Sequence, residues 1–226
     1  MRITEHYDTV RVGAQPVRAG DAPRATSPNT PPSFWAFKRL FDIVLSVLLL
    51  PVLALAALGL MVLNPFFNRG PLIYIQERMG RDLRPFRMVK FRSMTKAADI
   101  ARGANDPVEK DRITRLGGLI RKLRIDELPQ ILNVLKGDMS LIGPRPEYVP
   151  HALSYARNVR GYDQRYSVRP GISGLAQVEQ GYTDCDDGVR GKLRYDLRYI
   201  RGAGFRMESY VFMKTLRTVL TGFGAR

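Results

Sequence analysis

Cysteine and histidine are nearly absent from this chain. Cys185 is the single cysteine in 226 residues, so no internal disulfide framework can form, and the chain fits a reducing compartment. Its neighbours Asp184, Asp186 and Asp187 disfavour a thiolate, which argues against a catalytic thiol. The two histidines, His6 and His151, form no metal-spaced cluster, so a zinc site is not expected. Acidic residues are also scarce, with 21 Asp and Glu against 36 Lys and Arg, a net charge of +15. That excess asks for an anionic partner: nucleic acid, an acidic membrane surface or a phosphorylated substrate. No repeat of about 20–50 residues is visible. No apolar core follows the N-terminus as a secretory signal requires. Residues 1–33 instead carry five prolines and little apolar periodicity, the composition of a disordered arm.

What is present begins abruptly. Leu40–Leu63 is a run of 24 residues in which only Asp42 and Ser46 are polar. As one straight helix it would reach ~36 Å, enough to cross a hydrocarbon layer of ~30 Å. Pro51 lies at its midpoint, where the missing N–H and the ring clash break or kink a helix, leaving two arms of ~18 Å. Basic residues flank both ends: Lys38 and Arg39 before, then Arg69, Arg78, Arg81, Arg84, Arg87 and Lys90. Positive flanks favour the cytoplasmic side, so a hairpin that dips in and returns satisfies both ends, whereas a span strands one. Lys38 and Arg39 are expected to snorkel to headgroups, with Asp42 pairing one of them. A spanning helix stays open as the alternative. The chain thus divides into an arm (1–33), a membrane-inserted re-entrant helix broken at Pro51 (34–68) and a basic catalytic domain (69–226). The expected fold class is α+β, mainly helical.

The chemistry concentrates in Arg121–Pro146, which reads RKLRIDELPQILNVLKGDMSLIGPRP. The signals predict Asp126 as helix N-cap, Glu127 to Pro129 as first turn and Gly137 as exit. Adjacent helical residues point about 100° apart, so two carboxylates converge on one ion or substrate only at a helix end. A helix start also favours an ionised aspartate and attracts phosphate. The plain alternative is that Asp126 only caps and Glu127 only complements the dipole. Lys90 and Arg92 alternate on one side of an extended KFRSM segment and can clamp a diphosphate or meet lipid headgroups. Arg112–Leu123 reads as a basic amphipathic helix that brings Arg112 and Arg124 near the dyad or lies in the interface. Arg145, fixed between Pro144 and Pro146, suits bidentate phosphate binding, or is a rigid turn with an incidental arginine. Short extended pieces are expected on either side of Met79-Gly80-Arg81, a helix at His151–Tyr166, and a glycine-rich ligand loop at Arg169–Leu175.

KRLFD, QERMG, KFRSM, RITRLG, DELPQILNVLKGDMSLIGPRPE and VRPGISGLAQV follow in that order from Lys38 toward the C-terminus. Together they resemble the bacterial monotopic phosphoglycosyl transferases, in a minimal form without a multi-span N-terminal module. The resemblance implies transfer of a sugar 1-phosphate from a UDP-sugar to polyprenyl (undecaprenyl) phosphate with release of UMP. This is the first membrane step of exopolysaccharide, capsule or O-antigen synthesis. It implies Asp126 as nucleophile, Glu127 beside Mg²⁺, and Lys90, Arg92, Arg112, Arg124 and Arg145 as candidate phosphate ligands. It also implies membrane lipid as a partner, the cytoplasmic face of the bacterial inner membrane as the location, and it allows a homodimer. Two departures stand out: Leu50-Pro51 replaces the family's Ser-Pro pair, and Gln177-Val178-Glu179-Gln180-Gly181 replaces its Gln-Val-Asn-Gly. The rivals are a non-catalytic membrane scaffold, which would tolerate loss of both carboxylates, and a nucleic-acid binder. The apolar run and the lack of a reading motif speak against nucleic acid.

Overall fold

The computed structural model describes residues 30–95, 110–180 and 186–221. Most of the expected arm, the polar segment Ala97–Glu109, His6 and Cys185 lie outside them. Helix α1, Pro32–Phe67, starts with a proline where the missing N–H is not needed. Strands β1 (Ile73–Met79) and β2 (Pro85–Phe91) pair antiparallel with Ile73 opposite Phe91, the expected extended pieces. Thr114 caps α2 (Arg115–Lys122) by accepting a hydrogen bond from the Gly117 amide at 2.9 Å, a contact worth ~1 kcal/mol. Helix α3 (Gln130–Lys136) ends at Gly137, whose φ of 98° is the left-handed exit expected of glycine. Strands β3 (Ser140–Ile142) and β4 (Gly171–Ser173) pair in parallel around α4 (Val149–Asn158). Helices α5 (Leu175–Glu179), α6 (Asp186–Arg201) and α7 (Phe205–Thr221) complete the chain. The result is mostly helical with two small sheets, as composition and periodicity predict.

Helix α1 is polar inside and apolar outside. Its buried residues are Phe34, Lys38, Asp42, Ser46, Leu60 and Asn64, spaced by four within each half. Lys38 donates to Glu208 of α7 at 2.7 Å. Asp42 accepts from the Ser140 hydroxyl at 2.8 Å and from the Leu141 amide at 3.2 Å. Arg39 caps α3 through the carbonyls of Val134 and Leu135, at 2.7 and 3.0 Å. The expectation that Lys38 and Arg39 snorkel to headgroups is therefore corrected. Two carboxylates and a helix C-terminus offer them stronger partners inside the protein. Phe37, Leu40, Val44, Leu48, Leu55 and Val62 face outward, each about half exposed or more.

This arrangement makes α1 long and apolar enough to associate with a membrane. Only 11% of its most apolar window is buried, unlike the core helix of a soluble protein. Helix α1 continues through Pro51, which is exposed, with no interruption of its helical backbone. Proline costs a helix about 3 kcal/mol, and packing on both sides of it offsets this. Asp42 and Ser46 pack before Pro51; Leu53, Ala56, Ala57 and Leu60 pack after it, against Phe91 and Ile120.

Candidate active site

Arg124 precedes the dyad at φ 58°, a left-handed conformation that strains a non-glycine residue by ~1 kcal/mol. It turns the chain into a single 3₁₀ turn, Ile125–Glu127, followed by Leu128, Pro129 and α3. Asp126 therefore lies inside that turn and is not the N-cap of α3; Pro129 occupies the cap position. The correction arises because Pro129 lacks the N–H that a cap two or three residues earlier would bind. The side chains of adjacent residues then diverge in role.

Glu127 is 8% exposed and enclosed by cations. Arg145 Nη2 lies 2.6 Å from Oε1 and its Nη1 3.5 Å from Oε2, a two-pronged contact. Lys90 Nζ is 3.5 Å from Oε1, and Arg124 Nη1 is 4.0 Å away. Burial pushes the Glu127 carboxyl up, yet Arg145 and Lys90 outweigh it and hold the group far below the carboxylate range. Asp126 goes the other way. Burial first, and the adjacent Glu127 second, raise it against the pull of Lys90, Arg145 and Arg121. Its Oδ1 is buried and has no hydrogen-bond partner among the described residues. Lys90 is lowered to about 8, chiefly by burial, with Glu127 pulling the opposite way.

Each cation is placed by a separate device. Asn133 of α3 accepts from the Val89 amide at 3.0 Å and donates to the Arg87 carbonyl at 2.7 Å. That side chain fixes β2, and with it Lys90, against the dyad turn. Arg145 is held from behind: Arg165 Nη2 donates to its carbonyl at 2.8 Å. Arg165 is itself 1% exposed, pairs with Asp196 at 2.7 Å and donates to Tyr162 Oη at 2.7 Å. Glu147, next after Pro146, takes Arg165 at 3.5 Å and a close contact from Lys192.

Five of the predicted residues thus converge: Asp126, Glu127, Lys90, Arg124 and Arg145. Arg92 is engaged elsewhere. It donates to the carbonyls of Pro71 at 2.7 Å, Met94 at 3.2 Å and Asn68, closing the exit from α1. Arg112 donates to the Thr95 carbonyl at 2.7 Å. The glycine loop at Arg169–Leu175 also has a structural use, since a Cβ on Gly171 would sit 2.1 Å from the Gly143 amide nitrogen. The two loops press backbone to backbone, which keeps Gly143-Pro144-Arg145 in place. Sequence reasoning missed Arg165, Asp196 and Asn133. It treated Arg78 only as a flank, although Arg78 donates to the Pro146 carbonyl at 3.4 Å and to Gln76 at 2.6 Å. The polar Asn133 inside the apolar pattern ILNVL was the one signal available.

Among the described residues no group of three or more His, Cys, Asp or Glu gathers as a metal cluster. Magnesium, however, is commonly held by one or two carboxylates together with phosphate oxygens and water. Asp126 Oδ1, which lacks a partner, and Glu127 Oε2, with its one long contact to Arg145, fit that donor set.

Comparison with known proteins gives the arrangement its context. A family model described as bacterial sugar transferase matches residues 33–222. This chain belongs to the bacterial sugar transferase family. The transferase is 46% identical over 198 residues to the UDP-N-acetylgalactosamine-undecaprenyl-phosphate N-acetylgalactosaminephosphotransferase of Aeromonas hydrophila, covering 87% of this chain and 47% of that protein. It is 37% identical over 182 residues to a UDP-glucose:undecaprenyl-phosphate glucose-1-phosphate transferase of Klebsiella pneumoniae, covering 80% and 39%. With the exopolysaccharide production protein PSS of Rhizobium leguminosarum bv. phaseoli it shares 36% identity over 190 residues, 81% of this chain and 95% of that one. The chain spans less than half the length of the first two relatives and nearly all of the third.

Proposed function

We propose that this transferase moves a sugar 1-phosphate from a UDP-sugar to undecaprenyl phosphate through a covalent intermediate on Asp126. The observation that carries the reading is the asymmetry of the dyad: Glu127 is consumed by Arg145 and Lys90, while Asp126 Oδ1 is buried without a partner. An unsolvated, unpaired carboxylate oxygen is a competent nucleophile once a substrate is in place. Asp126 attacks the sugar-linked phosphorus of the diphosphate, forming an acyl-phosphate P–O bond as the bond to the bridging oxygen breaks, and UMP leaves with that oxygen. The lipid phosphate oxygen then attacks the same phosphorus, giving the polyprenyl diphosphosugar and returning the Asp126 carboxylate. Arg145 and Lys90 offset the charge that would otherwise repel the nucleophile, as does Arg124 at the rim. Mg²⁺, held by Glu127 with substrate phosphate when bound, would neutralise diphosphate charge in the same region and leave Asp126 to attack. Arg92 and Arg112 remain candidates for phosphate only if they release their carbonyl partners.

The membrane placement proposed is entry and exit through one leaflet, at the cytoplasmic face of the inner membrane. Support comes from the two ends of α1, which pack on the same domain. Lys38 and Asp42 bind α7 and β3, while Asn68 donates to the Arg92 carbonyl at 2.8 Å. A helix crossing the bilayer would separate those partners by its thickness. Labelling of single cysteines at the exposed Ser33 and Arg69 tests this, and accessibility from opposite sides contradicts it. For the chemistry, the decisive measurement is intact mass during turnover with UDP-sugar. The protein should gain one phosphosugar, and Asp126→Asn should gain none. Sugar reaching the lipid without any such adduct would refute the covalent route.

A further inference from the structure

A basic shelf lies at the end of α6. Arg194, Arg198 and Arg201 recur at intervals of four and three, which puts them on one helix face. With Leu197, Gly202 and Met207 they line an open cavity of about 610 Å³. All three arginines are exposed, and none has an ion-pair partner among the described residues. Like charges one helical turn apart repel, so this triplet is held together at a cost that a bound anion would relieve.

Its position says which anion. The turn from α6 to α7 touches the start of α1: the Thr30 hydroxyl donates to the Ala203 carbonyl at 3.3 Å, and the Phe205 ring meets Phe34 at 5.3 Å and Phe37 at 4.9 Å. Phe37 opens the outward apolar face of α1, and Phe205, Met213 and Leu216 of α7, all exposed, extend apolar surface beside it. The shelf therefore stands at the boundary where an apolar face meets a charged one, the level at which lipid phosphates lie. Arginine forks bind phosphate oxygens in pairs, and Leu197 with Met207 offers apolar contact to the glycerol and first methylenes.

We propose that the cavity lined by Arg194, Arg198 and Arg201 binds the headgroup of an anionic phospholipid, at a site sharing no residue with the Asp126–Glu127 centre. The inference rests on α1 lying in lipid and is independent of the reaction assigned to the dyad.

The test uses the full chain in zwitterionic detergent, titrated with phosphatidylglycerol and followed by native mass spectrometry. Each interfacial arginine contributes roughly a fivefold gain in affinity for anionic lipid, so R194Q/R198Q/R201Q should weaken phosphatidylglycerol binding on the order of a hundredfold. R81Q/R84Q/R87Q, which removes the same charge elsewhere, should change it less than about twofold on this reading. UMP release should persist in both triple variants, since neither touches the dyad; should the α6 triple variant not fold, R198Q alone should show the roughly fivefold loss. Equal losses in the two triple variants, or none in the α6 variant, overturn the proposal in favour of diffuse attraction. Full displacement of the lipid by inorganic phosphate overturns it in favour of a soluble anion, and tighter binding of an oligonucleotide than of lipid does so in favour of nucleic acid.

Discussion

Glu127 and Glu147 occupy closely similar surroundings and serve different ends. Both are largely buried glutamates, each held chiefly by one arginine and one lysine: Arg145 and Lys90 for the first, Arg165 and Lys192 for the second. In both, burial raises the carboxyl and the cations outweigh it, so both stay ionised. The difference lies in what surrounds the pair. Arg165 has a second anion in Asp196, is sandwiched by Tyr162 and Tyr166 at 5.0 and 5.6 Å, and is 1% exposed. Arg145 and Lys90 remain 18% and 15% exposed, and next to Glu127 stands an aspartate with an unsatisfied oxygen. A charge cluster whose arginine is sealed from solvent builds structure. One whose cations stay reachable beside an adjacent carboxylate is equipped for chemistry.

Substitutions can break this contrast, beginning with the largest effect. Asp126→Asn should lower UMP release by at least about a thousandfold while the melting temperature holds or rises, because it removes repulsion with Glu127. Asp196→Asn should do the reverse, costing about 3 kcal/mol in denaturant unfolding, since the buried Arg165 is left with only the longer contact to Glu147, which Lys192 shares. Its folded fraction should keep normal donor affinity, and unchanged stability would show the second cluster to be dispensable. Arg145→Ala should reduce kcat/KM for the donor about a hundredfold with little loss of stability, and unchanged kinetics would remove it from the site.

Two pH measurements sharpen the contrast further. Glu147 is held at about 2, below its ordinary 4.5, by Lys192 and Arg165 acting against burial. A depressed carboxylate contributes stability that is complete above pH 4.5 and disappears as pH falls toward 2. The amount is about 3 kcal/mol, and Glu147→Gln should flatten the acid limb of the unfolding curve. Lys90, lowered to about 8 by burial, loses its charge as pH rises through that value. Donor kcat/KM should decline above pH 8 in consequence, and Lys90→Arg should carry activity to higher pH.

The gathering of Lys90 and Arg145 at the dyad was legible in the sequence because carboxylates and cations carried in such motifs attract one another. Gly137 was legible because only glycine readily takes its backbone angle. Direction was not legible. Lys38, Arg39 and Arg92 are basic residues bordering apolar sequence, a pattern that reads as headgroup contact, yet all three turn inward to carbonyls or carboxylates. Nor could spacing show that Asp196 would meet Arg165, or that Pro51 would be carried within one helix by contacts from distant segments.

The bond between Lys38 and Glu208 joins residues 170 positions apart. When α1 first leaves the ribosome its lysine has no glutamate to meet, and nearly the whole chain must be made before one arrives. Docking of the first helix, begun through Arg39 and Asp42, is thus completed only when α7 arrives, and removal of α7 would leave Lys38 with Asp42 alone. Pulse-labelled chains stopped before Glu208 should be degraded far faster than the finished protein.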